Sequence, residues 1–192
     1  MTAWDPSFGD FQAYHTTAGL LVEGFFRGYP DLIRVLNIYG PYCDRQHFWD
    51  LVVRSKILQL ENLIVGGDLN LTLGPSEVWG GKALVDPMSS YFKQLFMKEN
   101  LVDISFTSLA PTWHNGRTGT DRIGKRFDRF LVSGTLIDRV GRYRSWTTPD
   151  ATSNHLPVSL QVDFHFNRTH YPFKFNRVWL DDGNFQEAVK NF

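Results

Sequence analysis

The sequence has 192 residues, of which 42% are hydrophobic and 15% aromatic, and its formal net charge is zero. This length suits one folded domain, and the aromatic content excludes a disordered chain. Because Cys43 is the only cysteine, an internal disulfide is impossible, which excludes a disulfide-stapled secreted fold.

The first half of the chain is predicted to alternate strands and helices. Residues 1–17 show no clear period, whereas residues 19–26 and 32–39 have the pattern of two strands joined as a hairpin. Asp44 is a candidate N-cap for a helix that extends to about Leu58. A short apolar strand follows at residues 63–65.

The second half continues the alternation. A loop is predicted at residues 71–81, and Asp86 followed by a proline is a typical start for a second helix. We expect short extended segments at residues 101–104 and 111–113, and two more strands at residues 126–132 and 156–164. The interleaved pattern indicates an α/β (α+β) chain, and the hairpin makes its sheets partly antiparallel.

Asp68 and Asn70 come directly after the apolar strand and two glycines. A run of branched apolar residues is typical of a strand buried on both faces, and we expect Gly66 and Gly67 to let the backbone turn as it leaves the sheet. Open α/β sheets usually hold their chemistry at the carboxyl ends of strands. The same residues are also common in ordinary turns.

The charge is distributed unevenly along the chain. Residues 1–110 carry 8 Lys and Arg against 12 Asp and Glu, whereas residues 111–192 carry 12 against 8. Most of the positive excess comes from Arg117, Arg122, Lys125, Arg126, Arg129, Arg139, Arg142 and Arg144. A local basic face of this kind can bind phosphate groups, and an ordinary solvated arginine-rich surface is the alternative.

Four separated stretches place polar residues at or beside the ends of predicted strands. They are residues 37–41 (NIYGP), 67–70 (GDLN), 125–130 (KRFDRF) and 153–158 (SNHLPV). In this order they resemble the endonuclease/exonuclease/phosphatase superfamily. The resemblance is closest to the endonuclease domain of plant LINE-type (non-LTR) retrotransposons, through residues 66–73, 111–117, 126–131 and 171–176. It implies a four-layer α/β sandwich of two mixed β-sheets flanked by helices.

The resemblance implies a catalytic set and a metal. Cleavage of a phosphodiester needs an activated water, neutralised phosphate charge and a stabilised leaving oxygen. The implied catalytic residues are Tyr39, Asp68, Asn70, Asp128 and His155. Asp128 would orient the His155 imidazole, Asp68 would orient or deprotonate the attacking water, and Tyr39 would donate its hydroxyl to a phosphate oxygen. The implied cofactor is Mg²⁺ or Mn²⁺.

The implied partner is DNA. The predicted nucleic-acid-binding residues are Trp113, Asn115, Arg117 and Arg126, which would hold the backbone or a splayed base. Taken alone, each motif has a simpler interpretation. Asp128 between Arg126 and Arg129 suits a surface ion-pair cluster, and a tryptophan such as Trp113 more often lies in a core.

Two departures from the family pattern bear on activity. The family's first strands carry an asparagine and a metal-binding glutamate upstream of the matching region, so we expect an N-terminally truncated domain and an incomplete sandwich. Asn154 occupies the place of a metal-site aspartate and supplies no negative charge, which weakens metal binding. The expectation is an endonuclease fragment of weak or no activity. A non-catalytic nucleic-acid-binding remnant and a small phosphate-ester phosphatase are the alternatives.

The sequence also suggests how the chain is divided. Residues 1–165 form the partial nuclease domain, and residues 166–192 are expected to be a connector that leads towards a reverse transcriptase in full-length relatives. There is no signal-peptide pattern and no stretch long enough to span a bilayer. A nuclear location follows from family analogy only, and the oligomeric state is open.

Overall fold

The computed structural model describes residues 2–81, 84–149 and 152–164, together with Glu187. The expected connector, residues 166–192, lies outside the described residues apart from Glu187. The elements in chain order are β1 (Gly9–His15), β2 (Gly19–Phe26), β3 (Ile33–Ile38), α1 (Arg45–Arg54), β4 (Leu63–Asp68), β5 (Val78–Trp79), α2 (Ser89–Lys98), β6 (Leu101–Asp103), β7 (Trp113–His114), β8 (Gly124–Lys125), β9 (Asp128–Ser133), α3 (Gly134–Ile137), β10 (Arg142–Thr147) and β11 (Val158–Asp163). No helix among the described residues is long and apolar enough to cross a membrane.

A six-stranded mixed sheet forms the centre of the described structure, in the order β1-β2-β3-β4-β9-β6. β3 and β4 are parallel, and the other neighbouring pairs are antiparallel. β10 and β11 form a two-stranded sheet, and β5, β8 and β7 form a small three-stranded sheet. The predicted β2–β3 hairpin and the mixed sheet are therefore confirmed.

The helices α1 and α2 cover one face of the central sheet, whereas Leu136 of α3 belongs to the buried cluster on the opposite face. Alternation along β4 directs Leu63 and Val65 into the same core as Trp49 of α1 and Phe92 of α2. The Trp49 and Phe92 rings meet edge to face with centroids 5.9 Å apart, an arrangement that aromatic quadrupoles favour. Burial of these large side chains fixes α1 and α2 against the sheet.

The two-stranded sheet covers the opposite face. Ile64 of β4 and Val132 of β9 belong to a second buried cluster, against which Leu160 and Val162 of β11 pack. The layers are α1 and α2, the central sheet, and the second sheet. The predicted α/β sandwich is thus confirmed, and β4 and β9 are held from both faces.

Besides the two-residue strands β5 and β8, the sequence analysis missed β1 and β10, because the side chains of these two longer strands are mostly exposed. β1 lies in the segment where no period is visible, and most of its residues face solvent. β10 is rich in exposed arginine and aromatic residues, and only Ser145 of this strand is buried. Neither strand shows the apolar alternation that identifies a half-buried strand, so pairing with a neighbour decides their conformation.

The predicted helix starts are only partly correct. Asp44 precedes α1 but has a left-handed backbone and makes no capping bond with its side chain. α2 begins at Ser89 rather than at the proline, although Asp86 Oδ1 accepts a hydrogen bond from the Met88 N–H at 2.9 Å, as a residue at a helix start does. Asp86 accepts two hydrogen bonds from the Arg45 guanidinium, which joins the start of α1 to the loop before α2.

A buried group of four charges lies beside the beginning of β9. Arg126 and Arg129 are each 1% exposed, and they bind the carboxylates of Glu77 and Asp103. The Arg126 Nη1–Glu77 Oε1 distance is 2.7 Å, and Arg129 Nη2 lies 2.9 Å from Glu77 Oε2. Two positive and two negative charges therefore neutralise each other inside the fold and tie the loop after β4 to β9.

Neutralising one acid of this group is expected to leave an excess of buried positive charge. Glu77→Gln keeps the shape of the side chain but leaves two buried guanidinium groups with one carboxylate, which should cost about 3 kcal/mol of unfolding free energy. Urea denaturation measures the loss. Glu61→Gln, at an exposed position, is the matched control and should change stability by less than about 0.5 kcal/mol. Equal effects of the two variants would contradict the assigned charge balance.

The Arg45–Asp86 ion pair gives a pH-dependent prediction. Burial raises the pKa of Asp86, but the hydrogen bonds from Arg45 and the Met88 amide outweigh burial and hold the pKa below its ordinary value of 3.8. The stabilisation is therefore complete above pH 4–5 and is lost as the pH falls through the folded-state pKa. Asp86→Asn should cost about 2 kcal/mol at pH 7. The gap to wild type should shrink below about pH 3.8.

Urea midpoints at several pH values test this expectation. Asp10→Asn, which changes an exposed carboxylate on β1, is the control. An equally large cost of Asp86→Asn at pH 3 and pH 7 would show that the carboxylate charge is not responsible.

Candidate active site

The candidate site lies where β4 ends and β9 begins. Antiparallel register pairs Asp68, the last residue of β4, directly with Asp128, the first residue of β9. β4 runs through both glycines instead of turning at them, which corrects the sequence prediction. A Cβ on Gly66 would lie 2.6 Å from the Phe130 ring, and Gly67 has φ +133°. Because neither glycine has a side chain, β4 can pass close to the Phe130 ring and continue as a strand to Asp68.

His155 joins the two carboxylates. Its Nδ1 lies 2.9 Å from Asp128 Oδ2, and its Nε2 lies 3.9 Å from Asp68 Oδ2. The side chains of Asp68 and Asp128 are 11% and 18% exposed, whereas that of His155 is 37% exposed. The site thus presents an imidazole edge to solvent and keeps both carboxylates half-buried behind it.

Asn70 holds the Asp68 carboxylate in position. Its backbone N–H donates to Asp68 Oδ1 at 2.9 Å, and its side-chain Nδ2 donates to the Gly40 carbonyl at 2.6 Å. Asn70 has φ +50°, a left-handed conformation that asparagine tolerates better than most residues. This turn fixes one carboxylate oxygen of Asp68 and leaves Oδ2 directed towards His155.

The environment of Asp68 favours its protonated form. Burial raises the pKa of the carboxyl, and the nearby Asp128 charge raises it further, while the Asn70 amide and His155 act in the opposite direction. The net pKa lies above the ordinary value. A raised pKa makes a carboxylate a better proton acceptor near neutral pH.

Thr112 links the segments that carry Asp128 and His155, and the sequence analysis assigned it no role. Its Oγ1 accepts hydrogen bonds from the N–H groups of Phe127 and Asp128, both at 2.9 Å. Its carbonyl accepts from the Leu156 N–H at 2.7 Å. Thr112 is fully buried, and its position within residues 111–117, one of the stretches that carry the family resemblance, was the available signal.

The residues at this edge suit a divalent cation. One ligand atom from each of Asp68, Asp128 and His155 can be chosen so that all three lie within 4.8 Å of one another. Carboxylate oxygens are the ligands that Mg²⁺ and Mn²⁺ prefer, and two adjacent carboxylates repel each other unless a cation or imidazolium compensates them. The donor set therefore fits the implied metal.

Tyr39 lies at the same edge of the sheet. Register pairs Asn37 of β3 with Gly66 of β4, which places Tyr39 beside Asp68 along the rim. Its side chain is 75% exposed. The hydroxyl is thus free to approach a ligand.

Trp113 belongs to a row of side chains next to His155. It pairs with His155 through an isolated bridge on one side and with Lys125 of β8 on the other. Its ring is half-buried and packs against Phe127 with centroids 5.4 Å apart. Trp113 is therefore both a packing residue and part of the wall beside the imidazole.

The side chain of Asn115 stabilises a loop through its hydrogen bonds. Its Oδ1 accepts from the N–H groups of Arg117 and Ile123, and its Nδ2 donates to the Asp121 carbonyl. The loop it closes presents the exposed side chain of Arg117. Asn115 thus supports the loop, whereas Arg117 is available for contact with a ligand.

The prediction that Arg126 binds nucleic acid is wrong. Its guanidinium is buried and bonded to Glu77, Asp103 and the Ile104 carbonyl, so no part of it faces a ligand. The alternative of a surface ion-pair cluster around Asp128 is also wrong, because the flanking arginines bind other acids. These acids could not be identified as partners from sequence patterns, since they lie 49 and 23 residues from Arg126.

Asn154 lies on the exposed rim beside His155. Its carbonyl accepts from the His114 N–H at 3.0 Å. This bond joins the His155 segment to β7. Its side-chain Oδ1 lies beside the loop at Gly116, 3.9 Å from the position of a Cβ on that glycine.

The fold is found in solved nucleases. The endonuclease domain of TRAS1, a telomere-specific non-LTR retrotransposon, matches 80% of this chain and 68% of its own, with 19% identity and a TM-score of 0.61. A 3′-5′ exonuclease from Neisseria meningitidis matches 75% of this chain and 65% of its own, with 18% identity and a TM-score of 0.55. The AP endonuclease from Leishmania major matches 76% of this chain and 54% of its own, with 18% identity and a TM-score of 0.54.

The chain thus spans about two thirds of the first two structures and about half of the third. No protein-family model and no curated protein matches the sequence. The similarity to three nucleases of separate kinds shows that this chain has the fold of the endonuclease/exonuclease/phosphatase superfamily, with similarity to a LINE-type endonuclease domain.

Proposed function

We propose that the protein is a metal-dependent endonuclease that hydrolyses phosphodiester bonds of DNA. The observation that carries this proposal is the meeting of Asp68, Asp128 and His155 at one sheet edge, within 4.8 Å. The similar solved structures include a retrotransposon endonuclease domain and a Neisseria 3′ phosphatase bound to a product DNA hairpin. Both support DNA as the substrate. Exposed Arg117 and the aromatic wall at Trp113 supply suitable contacts for its backbone.

The side chains divide the chemistry. Asp128 accepts the hydrogen bond from His155 Nδ1, which fixes the imidazole and directs Nε2 towards the space in front of Asp68. From there His155 contacts a phosphate oxygen. Asp68, whose Oδ1 is held by the Asn70 N–H, orients the attacking water and accepts its proton. The exposed Tyr39 hydroxyl donates to another phosphate oxygen.

Asp68 and Asp128 are the residues that would hold the divalent cation, with most of its remaining ligands being water. A divalent cation held by these carboxylates would supply positive charge against the charge that develops on the phosphate and the leaving oxygen. Asn154 lowers the affinity for that metal, because an amide oxygen has no net charge where the family pattern has a carboxylate. We therefore expect slow cleavage.

Plasmid nicking tests the proposal. Purified protein should convert supercoiled plasmid to the nicked form slowly with Mg²⁺ or Mn²⁺ and not with EDTA. Asp68→Ala and His155→Ala should each lower the rate at least about 100-fold, because general acid–base groups contribute about that much. Asp10→Ala, an exposed β1 residue, is the control. Nicking that survives Asp68→Ala would assign the activity to a contaminant or to another site.

Restoring the carboxylate tests the role of Asn154. Asn154→Asp should lower the metal concentration needed for half-maximal nicking about tenfold. Asn100→Asp, an exposed position at the opposite end of the sheet, is the matched control for added charge. If Asn154→Asp binds DNA normally yet shows no metal-dependent nicking, the non-catalytic DNA-binding alternative replaces the enzyme.

A further inference from the structure

A cavity adjoins Asn70 at the end of β4. Its volume is about 280 Å³, and Tyr42, Asn70, Thr72, Lys125 and Phe127 are among the residues that line it. Asn70 belongs both to this cavity and to the turn that holds Asp68. The cavity is therefore the immediate neighbour of the proposed catalytic site.

The charge in the cavity wall is positive. Arg45 also lines the cavity, but its guanidinium is neutralised by Asp86. Among the described residues Lys125 forms no ion pair, and its Nζ lies 5.5 Å from the centroid of the Phe127 ring. One unneutralised ammonium group thus remains, which favours an anionic ligand.

Two hydroxyl groups add hydrogen-bonding capacity to the same wall. The Tyr42 side chain is 83% exposed. Thr72 is 1% exposed, and within the described part of the chain its Oγ1 has no hydrogen-bond partner. A buried hydroxyl without a partner is costly in a folded protein, and a ligand or water in the cavity would relieve that cost.

The position of Lys125 relates the cavity to His155. Trp113 pairs with Lys125 on one side and with His155 on the other, so Lys125 and His155 are two strand spacings apart. Two spacings amount to about 10 Å. Because directly opposed residues point to the same face, His155, Trp113 and Lys125 form one row. A DNA strand at His155 would reach Lys125 within a few nucleotides.

We propose that this cavity binds a backbone phosphate of the DNA strand a short distance from the scissile bond, with Lys125 as its cationic ligand. Tyr42 and Thr72 complete the polar wall, and the Phe127 ring lies 5.5 Å from the lysine Nζ. The inference rests on the proposed function and names the surface by which that site positions its substrate. Such a contact fixes the register of the strand without reading its bases.

DNA binding measured as a function of salt tests this inference. The affinity of the full chain for a labelled 20-base-pair duplex is measured by fluorescence anisotropy in EDTA, so that no cleavage occurs. Lys125→Gln should lower the slope of log K against log salt by about 0.9 and the affinity about eightfold at 0.1 M salt. Lys98→Gln, at the end of α2 remote from β4's carboxyl end, should change neither.

Lys125→Arg provides the conservative variant, since it keeps the charge and should retain the wild-type slope. If wild type binds the duplex and Lys125→Gln matches Lys98→Gln, the cavity inference is wrong while the proposed function stands. If wild type binds no duplex even at 50 mM salt, the proposed function is wrong and the inference falls with it.

Discussion

The pairing of β4 with β9 is the constraint on which the site depends. This register sets Asp68 directly opposite Asp128, and like charges in such positions repel each other. The fold accepts that repulsion because both strands are buried in two cores, one under the helices and one under β11. The stability of the sandwich thus maintains a concentration of negative charge that an isolated hairpin would not tolerate.

The remainder of the polar structure compensates for this arrangement. One oxygen of Asp128 is hydrogen-bonded to His155, and one oxygen of Asp68 accepts the N–H of Asn70. Immediately beside them, the acids that bind Arg126 and Arg129 keep those arginines away from Asp128. If the guanidinium groups reached Asp128, they would compete with the imidazole and with a cation. The buried charge group therefore keeps the Asp128 carboxylate available to His155 and to a cation.

The sequence predicted the parts of this structure that local pattern determines. The apolar run at Leu63, the β2–β3 hairpin and both long helices follow from periodicity and turn residues, and the four motifs identified the residues of the central cluster. Patterns did not reveal β1 or β10, whose exposed side chains lack alternation. They also misassigned Arg126, because its partners are distant in sequence and only tertiary packing brings them together. Thr112 escaped notice for the same reason.

The bonds of Thr112 have a consequence for motion at the site. The N–H of Asp128 and the N–H of Leu156, next to His155, are both held by this one buried residue. Displacement of the segment should carry Asp128 and His155 together as a unit, which preserves their 2.9 Å contact. Asp68 lies opposite Asp128 in the β4–β9 ladder, and its Oδ2 lies 3.9 Å from His155 Nε2. One buried threonine and one strand pairing therefore hold the three side chains of the site in position relative to one another.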